Sequence, residues 1–321
     1  MERAFAVAQQ ARLIAPPNPW VGAVVVHSTT GSVVAEGSTQ RPGDAHAEVM
    51  ALRAAGEACR GATLYVTLEP CSHTGRTGPC TEAIVQAGIS RVVVGTLDPD
   101  PRVAGSGVTA LRAAGIVVEV GVLESEIREN LAPYIHHRTT GRPYVIAKTA
   151  ATLDGAVAMA DGTSQWITGA AARYDGHVLR AQSQAIIVGA GTVRSDDPTL
   201  NARLENGTYE PRRIVLGRAP LGAKVHPCEE YDGPLDELLT RLGEEGVLQV
   251  LVEGGPTVLS SFLTAGLVQR VVWYVAPALA GLSTATPALA SLETETISAL
   301  RRGRFVGLTR LGEDVRLDLE V

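Results

Sequence analysis

The sequence predicts an α/β protein built as two domains, and three observations carry that expectation. At 321 residues the chain is long for a single hydrophobic core. Strand and helix signals alternate over the first 120 residues and strand signals restart after residue 143. Between the two stretches lies Thr139-Thr140-Gly141-Arg142-Pro143, a cluster of breakers. The boundary is therefore placed near residue 141, giving domains of residues 1–141 and 142–321. Apolar residues make up 45%, aromatics only 4%, and there are 34 glycines, so elements should approach closely.

Each element has a local reason. Residues 1–14 read as a helix that must end before Pro16-Pro17. Val21–Val26 is an apolar run fit for a buried strand, and Val33–Gly37 is its hairpin partner across Thr29-Thr30-Gly31. Helices are expected at 46–55, 79–87 and 107–114, with strands at 62–67, 91–95 and 116–120. Pro79 suits the first turn of its helix, where a missing N–H costs nothing. Residues 124–137 read as one polar helix. In the second half, strands are expected at 144–148, 185–188, 213–216, 248–252 and 270–275. Residues 305–311 and 315–321 read as a closing hairpin.

A net charge of −6 argues against a nucleic-acid partner, which would favour basic stripes. Two of the four cysteines fall in the motif described next; Cys59 and Cys228 are far apart, so a disulfide framework is not expected and a reducing, cytoplasmic setting is. The N-terminus lacks the pattern of a signal peptide, and no apolar run is long enough to span a bilayer. A membrane partner is not expected.

The chemistry concentrates in His46-Ala47-Glu48, then Glu69-Pro70-Cys71, then Cys80, with eight residues between the two cysteines. One imidazole and two thiolates are three protein ligands for zinc, leaving a fourth position for water. Zinc-dependent base deaminases carry H-x-E followed by P-C-x-x-C; here the order is kept and the second cysteine is delayed. Glu48 is the spare carboxylate, expected to take a proton from the activated water and pass it to the ring nitrogen and the leaving ammonia. Residues two apart diverge inside a regular helix, so His46 should stand at the very start of its helix. Two blander readings compete: a surface helix beside buried thiols, and a structural zinc closed by His73 as fourth ligand.

The second half has no G-x-G-x-x-G fingerprint. It does have two strand-to-helix junctions rich in glycine, Gly189-Ala190-Gly191-Thr192 and Glu253-Gly254-Gly255-Pro256-Thr257, where bare amides at a helix start favour an anion.

The first half resembles the deaminase domain of the bifunctional riboflavin-biosynthesis deaminase-reductases. The matching residues are Pro17-Asn18-Pro19 with Val21-Gly22, His46-Ala47-Glu48-Val49, Thr67-Leu68-Glu69-Pro70-Cys71-Ser72-His73, Gly75-Arg76-Thr77, Pro79-Cys80 and Asp98-Pro99. The second half resembles the reductase domain of that family through Lys148, Thr152-Leu153-Asp154-Gly155, Ser164, Trp166-Ile167-Thr168-Gly169, the 189–192 turn, Asp196-Asp197-Pro198, Arg203 and Glu253-Gly254-Gly255. The resemblance implies a cytidine-deaminase-like sheet with flanking helices, followed by a dihydrofolate-reductase-like α/β domain. It implies zinc and NADPH as cofactors and a phosphoribosylaminopyrimidine as substrate, first deaminated and then reduced from ribosyl to ribityl. His46, Cys71 and Cys80 would hold zinc and Glu48 would be catalytic. Asn18 and Arg76 would bind substrate in the first domain, Arg76 toward the phosphate. In the second, Lys148, Ser164, Arg180, Leu200, Arg203 and Glu253 would contact substrate. Ala150, Trp166, Thr192, Asp196 and the segment Gly255, Pro256, Thr257, Val258, Leu259, Ser260 and Ser261 would contact the nucleotide. Arg218, just past a strand end, is placed to read the extra phosphate of NADPH. A homodimer or larger assembly through the reductase domains is also implied. Two positions depart from the family: Thr39 stands where a histidine is common, and Gly78 where proline is common.

Two other classes of reading are distinguishable by experiment. One is a deaminase of RNA or free bases with a passive C-terminal domain, which predicts no NADPH binding. The other is a zinc-stabilised interaction module joined to a nucleotide sensor, which predicts a closed metal site and no turnover.

Overall fold

The apolar run at Gly22–Val26 (β1) is the second strand of a five-stranded sheet, pairing antiparallel with Val33–Ser38 (β2) and with Thr63–Leu68 (β3). Arg91–Thr96 (β4) and Val117–Val120 (β5) extend the sheet in parallel, giving the order β2-β1-β3-β4-β5. Helices α1 (Glu2–Ala8), α2 (Ala47–Ala55), α3 (Cys80–Gln86), α4 (Ser106–Ala113), α5 (Glu124–Asn130) and α6 (Ala132–Thr140) complete this part. β1, β3 and β4 are buried almost throughout, as strands covered on both faces must be.

The computed structural model describes residues 1–74, 78–100, 103–290 and 294–321. It divides into two compact units, Met1–Arg142 and Pro143–Val321.

In the second unit the elements run β6 (Tyr144–Thr152), β7 (Ala156–Ala158), α7 (Ala170–Gln182), β8 (Ala185–Gly189), α8 (Ala190–Asp196), β9 (Ala202–Leu204), β10 (Gly207–Tyr209), β11 (Arg212–Leu216) and β12 (Glu229–Tyr231). They continue with α9 (Leu235–Glu244), β13 (Gln249–Val252), α10 (Pro256–Thr264), β14 (Arg270–Ala276), β15 (Thr286–Pro287), β16 (Arg304–Leu311) and β17 (Asp314–Glu320). Eight of these strands form one sheet in the order β12-β11-β8-β13-β6-β14-β17-β16. It is parallel from β12 through β14 and antiparallel in the C-terminal hairpin. One face of the parallel strands packs on α9 and α10 through Leu238, Leu239, Leu242, Leu259 and Phe262, all buried.

Two helices differ from expectation. The first ends at Ala8 and tightens into a 3-10 turn at Gln9–Ala11 instead of running to residue 14. The polar helix of 124–137 is two helices, α5 and α6, interrupted at Leu131, because Pro133 sits in the first turn of α6 and donates no N–H to the turn before it.

Candidate active sites

The metal-binding residues converge because three strand and helix ends meet. His46 is the N-cap of α2, with extended backbone (φ −73°, ψ 164°), so its side chain is free of the helical spacing that would point it away from Glu48. Cys71 follows β3, and Cys80 is the first residue of α3, introduced by Pro79 as N-cap. The Cys80 backbone N–H donates to Cys71 Sγ at 3.4 Å. His46 Nδ1 lies 3.2 Å from Cys80 Sγ and 3.7 Å from Cys71 Sγ. A tetrahedral zinc with ordinary bond lengths would set sulfur and nitrogen about 3.6 Å apart, so these donors already have the spacing the metal needs. Among the described residues the metal-competent group is His46, Cys71 and Cys80, and His73 is not part of it. Three ligands and an open fourth position fit a catalytic zinc better than a structural one.

Electrostatics agree. Hydrogen bonding with Cys80 pulls the Cys71 thiol well below its ordinary range against the opposing effect of burial, with further help from His46. The same contact and burial push the Cys80 thiol up. One thiol is thus ready to ionise before a cation arrives. Glu48 is 4% exposed, and burial lifts its carboxyl to about 7, with His46 pulling the other way. A carboxyl poised near neutrality is suited to taking up and releasing a proton.

The loop that carries Cys71 is anchored by a residue whose role the motif alone did not disclose. The buried carboxylate of Glu69 accepts backbone N–H bonds from Asp98 at 3.2 Å, Gly105 at 2.9 Å and Val108 at 3.0 Å. It ties the end of β3 to the loop after β4 and to the first turn of α4. That approach requires glycine at 107: a Cβ there would lie 1.9 Å from the Pro70 carbonyl oxygen.

A cleft of about 400 Å³ opens over the metal ligands, and Asn18, Glu48, His73, Asp98, Tyr134 and Arg138 are among its walls. Asn18, expected to bind substrate, is thus one of the residues of the cleft wall. Asp98, buried, accepts the Tyr134 hydroxyl at 3.1 Å and 3.2 Å and the Asp100 N–H at 2.9 Å. Burial raises its carboxyl to about 6 in spite of those donors. Thr39 also lines the cleft, and its hydroxyl accepts the Val21 N–H at 3.0 Å, so this departure from the family is absorbed as a backbone anchor. A Cβ at Gly78 would meet nothing within 4 Å, so space does not demand glycine there. Arg76 lies outside the described residues.

In the second unit the two glycine-rich junctions are neighbours because β8 and β13 are adjacent parallel strands. The Gly255 N–H donates to Thr192 Oγ1 at 3.1 Å, joining them directly. Gly254 is a close-approach glycine: a Cβ would lie 2.4 Å from Val258 Cβ. Gly255 caps α10 and Pro256 opens it, leaving the first-turn amides without intrahelical acceptors. Free first-turn amides beyond the carboxyl ends of parallel strands are an arrangement that can bind a phosphate. Ser164 Oγ lies 3.4 Å from Asp196 Oδ1, so those two residues also meet. Trp166 is 69% exposed, and Arg173 stacks 4.5 Å from its ring centre. Ala150 is half-buried on β6, and Arg218 is exposed just past β11.

The proposed contacts divide by orientation. Leu259 and Ser260 turn inward, Leu259 into the core and Ser260 to accept the Ala290 N–H, while Gly255 and Pro256 are half-buried and Thr257 is exposed. Val258 packs against that core from its edge, and Ser261 returns its hydroxyl to Thr257 O. The Leu200 side chain is buried with a positive φ of 53°, so what it offers a ligand is backbone. Arg180 does not present a free cation: its Nε and Nη2 grip Glu253 at 2.6 Å and 2.9 Å, and its Nη1 donates to Asn201 O at 3.2 Å. Lys148 Nζ adds a contact to Glu253 at 3.4 Å. Burial would raise the Glu253 carboxyl, but Arg180 and then Lys148 overcome it and hold it at about 2. Arg203 is held by neutral acceptors, Asn201 Oδ1 at 2.6 Å and His177 Nε2 at 3.1 Å, so its charge is left for an anion.

Comparison with known proteins identifies both units. Residues 1–96 match the family model described as cytidine and deoxycytidylate deaminase zinc-binding region, and residues 143–317 match the RibD C-terminal domain. The riboflavin biosynthesis protein RibD of Aquifex aeolicus is 41% identical over 98% of this chain and 96% of its own length. That of Escherichia coli is 40% identical over 99% of this chain and 98% of its own. The solved structure of Acinetobacter baumannii RibD superposes with a TM-score of 0.91 at 39% identity, covering 99% of this chain and 97% of that one. A Thermotoga maritima structure, titled a diaminohydroxyphosphoribosylaminopyrimidine deaminase/5-amino-6-(5-phosphoribosylamino)uracil reductase, superposes at 0.89 with 35% identity, covering 100% and 97%. A zinc-competent His-Cys-Cys cluster beside a buried carboxyl, joined in one chain to a reductase unit, places this protein in the RibD family of bifunctional, zinc- and NADPH-using riboflavin-biosynthesis deaminase-reductases.

Proposed function

We propose that the first unit hydrolytically deaminates 2,5-diamino-6-(5-phosphoribosylamino)pyrimidin-4-one and that the second reduces the ribosyl group of the product to ribityl. The observation that carries the first half is the three-donor cluster with Glu48 buried beside it. When bound, zinc supplies a Lewis acid that makes water a nucleophile near neutral pH, and NADPH supplies hydride to the anomeric carbon. His46, Cys71 and Cys80 are the residues that would hold zinc. Glu48 takes one proton from the attacking water and gives it to the ring nitrogen, then carries the second, from the newly attached hydroxyl, to the amino group that leaves as ammonia. Asn18, on the cleft wall, holds the pyrimidine by its amide, which both donates and accepts.

In the second unit the crevice at Thr192 and Gly255 to Thr257 receives the nucleotide phosphates, with Ala150, Trp166 and Asp196 beside it. Arg203 takes the substrate phosphate, and Ser164 and the Leu200 backbone flank it. Lys148 and Arg180 keep Glu253 ionised as an acceptor for the sugar chain or ring N–H. Four unpaired thiols support a reducing, cytoplasmic setting. Among the described residues no helix is long and apolar enough to cross a membrane. Assembly through the reductase units is supported by the exposed Phe305 and Leu308 on β16, the edge strand of its sheet.

The test is Glu48→Gln. Ammonia release from the diaminopyrimidinone substrate should collapse while NADPH oxidation on supplied deaminated substrate continues. Loss of both activities together, in a folded protein, would refute separate sites.

A further inference from the structure

We propose that Arg138, in the last turn of α6, binds the phosphate of the substrate in the deaminase cleft; this rests on reading that cleft as the site for a phosphoribosyl pyrimidine. A cavity of about 400 Å³ is large enough to enclose such a molecule, tail included. The phosphate dianion must therefore be met by the cleft's own walls. Those walls are otherwise unfriendly to it: Asp44, Glu48, Glu69, Asp98 and Asp100 all line the cavity. Among its described lining residues Arg138 is the only arginine or lysine.

The guanidinium is oriented without being neutralised. It stacks 5.1 Å from the Tyr134 ring centre, one helical turn back, and its Nη2 makes a long 3.4 Å bond to Pro17 O, beside Asn18. Its Nε is buried and has no hydrogen-bond partner. Two of the lining acids are committed elsewhere, Asp98 to Tyr134 and the Asp100 N–H, and Glu69 to three backbone amides. A planar fork with unspent donors, fixed at a cleft wall, is the arrangement that binds a phosphate. The bland alternative is a cation placed to complement the carboxyl end of α6. That role would not require the side chain to line the cleft with its Nε left unpaired.

The experiment compares Arg138→Met, which keeps the apolar stem, and Arg138→Lys with the unaltered full-length chain. Deamination is measured on the phosphorylated substrate and on its dephosphorylated riboside, and reduction by the same polypeptide monitors folding. Competitive inhibition by inorganic phosphate is measured alongside. Arg138→Met should raise KM for the phosphorylated substrate roughly ten- to a hundredfold. Its kcat, its KM for the riboside and its reductase activity should hold, and phosphate inhibition should weaken. Arg138→Lys should recover part of the KM. An unchanged KM and unchanged phosphate inhibition would overturn the proposal. So would an equal rise for both substrates, which would mark Arg138 as a brace for the Pro17 segment. If instead Glu48→Gln still deaminates, the reading of the cleft itself has failed, and the Arg138 result then reports only phosphate binding.

Discussion

Replacing Glu253 by alanine should cost the reductase unit about 3–5 kcal/mol, the usual penalty for removing one partner of a buried ion pair. The structure supports that figure by a second route. The Glu253 side chain is 8% exposed, takes two short bonds from Arg180 and a third from Lys148, and its carboxyl is held at about 2 where an ordinary glutamate titrates near 4.5. That displacement corresponds to about 3 kcal/mol at neutral pH. Removing the carboxylate leaves the Arg180 guanidinium desolvated, with only Asn201 O as acceptor. For a unit of this size the loss should lower its melting temperature by about 10 °C at pH 7, read by calorimetry or by fluorescence of the reductase transition. The pH dependence gives the sign. A carboxyl whose folded value is depressed contributes its full stability above about 4.5 and loses it as pH falls toward about 2. The gap between the unaltered chain and Glu253→Gln should therefore be constant from pH 7 to 5 and close below that. A melting temperature within 2 °C of the unaltered chain at pH 7, roughly what a surface pair would show, or a gap undiminished at pH 3, would refute the reasoning.

Other outcomes are as definite. Glu69→Ala strips an acceptor from three backbone amides, at roughly 1.5 kcal/mol or more each; zinc content by metal analysis and deamination should both fall while NADPH oxidation persists. Gly107→Ala should do the same by displacing the Pro70 carbonyl, and normal zinc stoichiometry in that variant would contradict the close approach described above. Asp98 titrates at about 6 in the folded protein against an ordinary 3.8, so its contribution is full below about 4 and is lost as pH rises through 6. Asp98→Asn should flatten the stability profile of the first unit between those values, measured by denaturant titration. Chelation of zinc should abolish ammonia release and leave NADPH oxidation intact, and re-addition of zinc should restore it.

Much of this was readable from residue order. The run Val21–Val26 can only be a buried strand, and Glu253-Gly254-Gly255-Pro256 announces a strand end followed by a capped helix. His46 and Glu48, two apart, required a helix start, and His46 is that N-cap. What was not readable depends on partners distant in sequence. Arg180 carries no local sign that it is spent on Glu253, 73 residues away. The separation of α5 from α6 hangs on Pro133, visible in the sequence but outweighed by the continuous polar pattern around it. The short strands β9, β10 and β12 lack a period long enough to register. Tyr134 and Arg138 sit in a polar helix that looks solvent-facing until the fold turns it toward the cleft.

The three amides gathered on Glu69 also set the smallest portable unit of this catalytic apparatus. A designer who moved the zinc ligands into another scaffold with only the segments around residues 46, 71 and 80 would leave behind the strut that aims the second of them. Residues 98–108 would have to travel too, although none of them is a metal ligand.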